Sequence, residues 1–280
     1  MSSETTSSPL PRVVIEQVTP ELDGGRYPIK RPVGASIDVS AAIFKDGHDQ
    51  ILADVVVMGP GGRDLQRAPL TYRFEPDRWY GQFRVTRPGR WRYWIEAWPD
   101  HYGTWRADLE KRLAAGQDVL AELLEGARIL ARHGASSRDE EGRRLREISE
   151  RLGDPKRALE ERLSIAFSPE VFGLTRGPAE PEAVTRFYRT LEILADVPEA
   201  SFSSWYELFP RSQTSDANRH GTFADTQRRL PELAALGFDV LYLPPIHPIG
   251  ETHRKGRNNS RKAEPGDVGS PWAIGSRLGG

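Results

Sequence analysis

Residues 204–212 read SWYELFPRS, and residues 237–250 read GFDVLYLPPIHPIG. The first string is a short aromatic run ended by a proline, and the second contains the continuous apolar run Val240 to Leu243, typical of a parallel strand covered on both faces. With a helix between them, the two runs predict one βαβ unit. A complete (β/α)8 barrel needs roughly 250 residues, so we expect residues 201–280 to form the start of a truncated (β/α)8 catalytic barrel.

The helix of this unit has start and stop signals. Thr222 and Asp225 have the spacing of a capping box, in which a hydroxyl and a carboxylate satisfy free N–H groups of the first turn. We expect the helix to continue towards Leu236, with Pro231 as a kink or restart and Gly237 as its C-cap.

The N-terminal part of the chain has a period of two. Ile37, Val39, Ala41 and Ile43 alternate with more polar residues, and the stretch around Trp91 to Ala97 behaves in the same way. Breakers such as Asp46-Gly47 and Pro88-Gly89 separate the runs. Short alternating strands with frequent turns predict an immunoglobulin-like β-sandwich over residues 12–105, preceded by a disordered tail at residues 1–11.

Aromatic side chains are frequent in the predicted sandwich, and two interpretations of them are open. They could form a platform on which sugar rings stack, or they could pack in the core, as large aromatic side chains generally do. These side chains are Trp79, Tyr80, Trp91, Tyr93, Trp94 and Trp98.

After Trp105 the apolar residues recur at helical spacing, beginning with Leu109 and Leu113. We expect a helical insert over residues 106–180 that is broken near Gly116, and a helix that starts with Asp154 as N-cap. Residues 181–200 should return to the sandwich domain, although periodicity leaves open whether residues 191–195 form a strand or the end of a helix.

Composition excludes several classes of protein. The chain has 38% hydrophobic and 28% charged residues and a formal net charge of −1. We expect neither a nucleic-acid partner, which would favour a basic excess, nor a membrane span, which needs about 18 apolar residues. Zero cysteines exclude disulfides and thiol catalysis and fit a reducing cytoplasm. We expect no cofactor, and no grouping of residues has convincing metal-ligand spacing.

The segment from Pro244 to Gly280 follows a predicted strand at the functional end of the βαβ unit. It contains cations and amides able to bind hydroxyls or a phosphate, among them His247, Lys255, Asn258 and Asn259. Each has a structural alternative: a solvated loop for Lys255, loop-fixing bonds to the backbone for the asparagines, and a satisfied structural histidine for His247.

Four strings resemble, in order and spacing, the N-terminal part of the maltose-1-phosphate maltosyltransferases, a branch of the α-amylase superfamily. They are WYELFPRS (205–212), GFDVLYLPPIHPIG (237–250), RKGRNN (254–259) and EPGDVGSPWAIGS (264–276). The resemblance extends from about Arg12 to Gly275. It implies an N-terminal sandwich with a helical insert and a homodimeric enzyme.

The resemblance also implies a reaction. Such an enzyme moves a maltosyl unit from α-maltose 1-phosphate to the non-reducing end of an α-1,4-glucan by a retaining double displacement, which uses two carboxyl groups. Lys255 matches a family lysine that contacts α-maltose 1-phosphate, and Asn258 and Asn259 could shape the same pocket. The catalytic Asp and Glu of the family lie on later strands, beyond Gly280. We therefore expect the chain to be an N-terminal fragment without catalytic residues or transferase activity of its own.

Two other functions remain open from the sequence. One is a stand-alone glucan-binding or dimerisation module built from the sandwich and the helices. The other is an ordinary hydrolase of the α-amylase type, against which RKGRNN and SPWAIGS argue.

Overall fold

The protein is described by a computed structural model, which covers residues 13–137 and 139–278. The chain forms two compact units, Met1–Val197 and Pro198–Gly280. The tail predicted for residues 1–11 lies outside the described residues.

The first unit combines two β-sheets with a group of helices. Its strands in the described residues are β1 (Val13–Thr19), β2 (Ile29–Pro32), β3 (Ser36–Lys45), β4 (Gln50–Met58), β5 (Leu65–Pro69), β6 (Thr71–Arg73), β7 (Arg78–Arg84), β8 (Gly89–Asp100), β9 (Thr185–Arg186) and β10 (Leu191–Asp196). One sheet has the order β1-β3-β7-β6, and the other has the order β2-β10-β8-β4-β5 with β9 beside β8. The strands pair antiparallel except for β2 and β10, which are parallel.

The two sheets bury their apolar side chains in one common core, and β8 supplies much of it. Trp91, Tyr93, Ile95 and Ala97 are all completely buried there, as their spacing of two predicts. Trp94 and Trp98, which alternate with them, are also buried, 7% and 2% exposed. Trp79 is buried as well, so most of the aromatic side chains serve packing and do not form an open sugar platform.

The described residues between β8 and β9 contain five α-helices. They are α1 (His101–Ala114), α2 (Leu120–Ser136), α3 (Glu140–Gly153), α4 (Leu159–Ala166) and α5 (Pro169–Leu174). Leu109, Leu123, Leu130 and Leu152 are fully buried between them, and each such burial contributes about 2 kcal/mol. The predicted break is confirmed, because Gly116 has a left-handed φ of 66° between α1 and α2.

One helix start was predicted wrongly. Asp154 does not begin a helix; it follows the last residue of α3, and α4 begins at Leu159. Its carboxylate accepts the N–H of Lys156 at 3.0 Å, and its carbonyl accepts the N–H of Arg157 at 3.2 Å. Asp followed by Pro therefore makes a turn here, since the same side chain can cap a turn as well as a helix.

A buried ion pair joins the helical insert to the second sheet within the first unit. Asp54 on β4 is 3% exposed, and its carboxylate accepts a hydrogen bond from Arg176, just after α5, at 2.6 Å. A second guanidinium, that of Arg67 on β5, lies 3.9 Å away. The pairing fixes the end of the insert against the sheet.

The second unit contains a strand, two short helices and a parallel strand. These are β11 (Trp205–Glu207), α6 (Phe223–Gln227), α7 (Leu230–Ala235) and β12 (Val240–Tyr242). The predicted capping box is confirmed, with Thr222 and Asp225 bonded in both directions, and Pro231 lies in the first turn of α7 as a restart. Trp205 pairs with Val240 in the parallel register.

The prediction that β12 is covered on both faces is wrong for the described residues. Val240 and Leu241 are only half-buried, and Tyr242 is 42% exposed. In the described sheet β12 has one neighbouring strand, β11. At a coarse level the prediction of a multidomain chain that mixes sheets and helices is confirmed.

Candidate functional site

The segment that follows β12 folds back on itself. Ile249 forms an isolated β-bridge with Gly275, the N–H of Gly250 donates to the carbonyl of Ile274 at 2.8 Å, and that of Ser276 donates to the carbonyl of Pro248 at 2.9 Å. A segment whose sequence shows little periodicity is therefore closed at its base by backbone hydrogen bonds.

The three predicted binding residues line one cavity in this segment. The cavity has a volume of about 400 Å³, and its two walls are residues 255–259 and residues 266–270. Lys255 is half-buried, whereas Asn258 and Asn259 are exposed. The structure thus brings together the residues that the sequence singled out.

None of these three side chains is bonded to another side chain or to the backbone of the described residues. The ammonium of Lys255 makes no ion pair or hydrogen bond with any described residue, and neither do the amide groups of Asn258 and Asn259. Both asparagines have left-handed φ values, 55° and 60°, which Asn adopts more readily than most residues. Their backbone shapes the loop, while their amides remain available for a ligand.

Close backbone packing holds the cavity in shape. A Cβ atom on Gly256 would lie 2.4 Å from the carbonyl oxygen of Lys262, so only glycine fits there. The carboxylate of Asp267 is 8% exposed and accepts the N–H of Glu264 at 2.8 Å, which closes a turn in the second wall. Its nearest cation, Arg257, is 90% exposed at a distance of 3.5 Å.

A second cavity of about 270 Å³ lies in the segments that follow β11 and β12. Its lining residues include Phe209, His220, Phe223, Ile246 and His247. The ring of Phe209 meets the exposed ring of Trp272 edge-on at 5.6 Å. The sequence analysis did not predict this cavity, although Phe209 and Trp272 lie in two of the quoted strings. Apolar residues beside the ends of predicted strands were the signal that could have indicated it.

The position of His247 is compatible with both interpretations, a ligand-binding and a structural histidine. It lines the second cavity, and its Nδ1 lies 3.2 Å from the carbonyl oxygen of Pro248. A ring that faces a cavity with one nitrogen near the backbone can still present its other nitrogen to a ligand.

Asp225 is a buried carboxylate, 3% exposed, that lies close in sequence to Thr222 and Phe223 of the second cavity. Arg219 donates to both of its oxygens, at 2.7 and 3.0 Å, and the N–H and hydroxyl of Thr222 donate at 2.8 Å each. Arg228 also donates to it. Chiefly because of the Arg219 bonds, and then those from Thr222, the pKa of Asp225 lies well below its usual range.

The segment after β12 contains three further carboxylates in the described residues, Glu251, Glu264 and Asp267. Glu251 and Glu264 are exposed, and Asp267 closes the turn described above. Among the described residues no group of three or more His, Cys, Asp or Glu side chains is arranged to hold a metal ion. No helix in the described part of the chain is long and apolar enough to cross a bilayer. The site offers hydrogen-bond donors for a polar or anionic ligand.

Comparison with known proteins adds a family to this geometry. The family model described as "Alpha-1,4-glucan:maltose-1-phosphate maltosyltransferase, domain N/S" matches residues 11–197, and this match ends where the first unit ends. The chain is 44% identical over 276 residues to the alpha-1,4-glucan:maltose-1-phosphate maltosyltransferase of Myxococcus xanthus. It is 44% identical over 271 residues to that of Chlorobaculum tepidum, and 43% identical over 286 residues to enzyme 1 of Streptomyces coelicolor.

The alignments cover nearly all of this chain but less than half of each relative. The matches cover 96%, 96% and 99% of this chain but only 41%, 40% and 42% of the relatives, so the chain spans about two fifths of the length of the proteins it matches. Since the family model covers more than half of the chain, the chain belongs to the alpha-1,4-glucan:maltose-1-phosphate maltosyltransferase, domain N/S, family.

Proposed function

We propose that this chain is the N-terminal part of an enzyme that transfers maltosyl units from α-maltose 1-phosphate to the non-reducing end of α-1,4-glucans. The observation that carries the proposal is the half-buried residue Lys255, which makes no ion pair or hydrogen bond with a described residue and lines a cavity together with Asn258 and Asn259. The names of the relatives supply the substrates.

Each of the three residues has a role in this proposal. Lys255 donates charge-assisted hydrogen bonds to the phosphate or the sugar hydroxyls of the donor. Asn258 and Asn259 offer both donors and acceptors to hydroxyl groups. The cavity therefore binds the donor substrate and does not itself break the glycosidic bond.

Bond cleavage in a retaining double displacement needs a nucleophilic carboxylate and a second carboxyl group about 5 to 5.5 Å away. We assign neither role to a residue of this chain. The proposed nucleophile Asp and acid/base Glu belong to later parts of the complete enzyme, so the 280 residues alone bind the donor without transferring it.

The architecture fits this proposal. The two sheets of the first unit form an immunoglobulin-like β-sandwich with a helical insert, and β11, α6, α7 and β12 form the first βαβ portion of a (β/α)8 barrel. The complete enzyme is a cytoplasmic homodimer that uses no cofactor. The shared core of the two sheets supports the sandwich, and the parallel pairing of β11 with β12 supports the βαβ portion.

Calorimetric titration of the purified chain with α-maltose 1-phosphate tests the proposal. We expect binding that Lys255→Met weakens about 10-fold or more, because a hydrogen bond to a charged group contributes roughly 1.5–3 kcal/mol. Lys262→Met is the matched control, since Lys262 is an exposed lysine of the same loop and lies outside the cavity lining. Equal affinities of all three proteins would refute the role of Lys255.

Turnover is measured separately. Phosphate release from α-maltose 1-phosphate in the presence of glycogen should be absent with this chain. Release that depends on the chain would contradict the proposal that its carboxylates are not catalytic.

A further inference from the structure

We propose that Arg254 is a positioning residue that holds Lys255 in the donor cavity. This inference rests on the proposed function, because it concerns the residue to which that function assigns the donor contact. It adds a residue that itself lies outside the cavity lining.

The guanidinium of Arg254 uses all three of its nitrogens on backbone carbonyls. Nε donates to Gly250 at 3.0 Å, Nη2 donates to Ile249 at 2.6 Å, and Nη1 donates to Asp267 at 3.2 Å. Ile249 and Gly250 lie in the closed base of the segment, whereas Asp267 lies in the second wall of the cavity. One side chain therefore ties the base to the far wall, and the next residue along the chain is Lys255.

The stem of Arg254 is also packed against that wall. Gly269 has a left-handed φ of 77°, and a Cβ atom at this position would lie 3.1 Å from Cγ of Arg254. Arg254 is half-buried as a result. Its backbone and side chain are fixed from two directions, which restricts where the Lys255 side chain can begin.

Only arginine can make these three bonds together. The guanidinium is a rigid, planar group with five donors, whereas an ammonium is a compact charge on a flexible stem. Arg257 shows the contrast within the same loop, because it is 90% exposed and reaches only the Asp267 carboxylate, at 3.5 Å. Arg257 lies in the cavity wall, so the matched control is Arg261, an exposed arginine of the same loop that is outside the cavity lining.

Two measurements on the 280-residue chain test the proposal. The first is hydrogen–deuterium exchange of the amides of residues 255–270. We expect Arg254→Ala and Arg254→Lys to speed this exchange at least about 10-fold, since local opening costs little where tertiary contacts are lost. Arg261→Ala should leave it unchanged. Unchanged exchange in Arg254→Ala would overturn the proposal, and unchanged exchange across residues 205–242 shows that the rest of the second unit is still folded.

The second measurement asks whether Arg254 acts through Lys255. Titration with α-maltose 1-phosphate should show a similar loss of affinity for Arg254→Ala, for Lys255→Met and for the double variant, because residues that act together are not additive. Losses that multiply in the double variant would overturn the proposal. Binding that Lys255→Met abolishes but Arg254→Ala retains overturns the role of Arg254 alone, whereas a wild-type chain that does not bind overturns the proposed function and this role together.

Discussion

Acidification from pH 7 to pH 5 should destabilise the helical insert through one buried histidine. His133 on α2 is 7% exposed. Burial, followed by the positive charges of His101 and Arg132, lowers its pKa from 6.5 to about 4. The neutral ring is therefore the form that the folded insert holds.

The sign follows from proton linkage. Between pH 6.5 and about pH 4 the unfolded chain binds a proton at His133 that the folded chain does not bind, so the free energy of unfolding falls as the pH falls through this window. At pH 7 both states are mostly neutral and almost nothing is lost. A pKa difference of this size lowers the free energy of unfolding by about 3 kcal/mol when the pH has fallen below about 4. About 2 kcal/mol of this loss has occurred by pH 5.

Urea unfolding followed by circular dichroism at 222 nm measures the effect, because α1 to α5 supply most of the helix in the described residues. The comparison is wild type against His133→Leu, which has no proton to bind at this position. Other titrating groups are common to both proteins and cancel in the difference. That difference should change by about 2 kcal/mol between pH 7 and pH 5 in favour of the variant, and a difference that stays constant would refute the reasoning.

Two further predictions concern packing in the first unit. Arg176→Met should destabilise it by about 3 kcal/mol, because among the described cations it leaves the buried carboxylate of Asp54 with the more distant Arg67. Asp54→Asn in the same protein should recover stability in urea unfolding, and no recovery would exclude the unpaired charge as the cause. Gly126→Ala should cost about 2 kcal/mol through overpacking, because its Cβ would lie 2.1 Å from the Trp105 ring. An added Cβ on Gly173 would meet no atom within 4 Å outside its own helix backbone and chain neighbours. Gly173→Ala should therefore stabilise α5 by up to about 1 kcal/mol in the same assay. Equal effects of the two alanine substitutions would contradict the steric explanation.

The sequence predicted local structure reliably where a pattern is compatible with only one arrangement. The alternation in β3 and β8 and the capping box of α6 each specify one arrangement, because a buried face or a paired hydrogen bond allows little else. Asp154 misled because its side chain can cap a turn or a helix, and only the packing around it decides which. Trp94 and Trp98 show the same limit, since alternation assigns them to the outer face of a sheet but does not predict that this face is buried too.

The candidate site was likewise predictable from the sequence only in part. Lys255, Asn258 and Asn259 are neighbours in sequence, so their appearance in one cavity needed only a loop of the right shape. The second wall, around Asp267 and Gly269, comes from residues about ten positions later, and no periodicity predicts that pairing. The hydrogen bonds of Arg254 to three carbonyls are likewise invisible in the sequence, because a backbone acceptor carries no residue signature.

The charged groups of the second unit explain why binding and turnover should separate in this chain. Two carboxylates with largely buried side chains, Asp225 and Asp267, are already occupied by donors from their own surroundings. A carboxylate whose pKa is as low as that of Asp225 holds no proton near neutral pH and cannot serve as the general acid of a glycosyl transfer. Lys255 has the opposite condition, since its ammonium makes no hydrogen bond or ion pair with the described residues and the residue lines a cavity. Under the proposed function these residues recognise a phosphorylated sugar without cleaving it, so a binding assay and a phosphate-release assay on the same protein should give opposite answers.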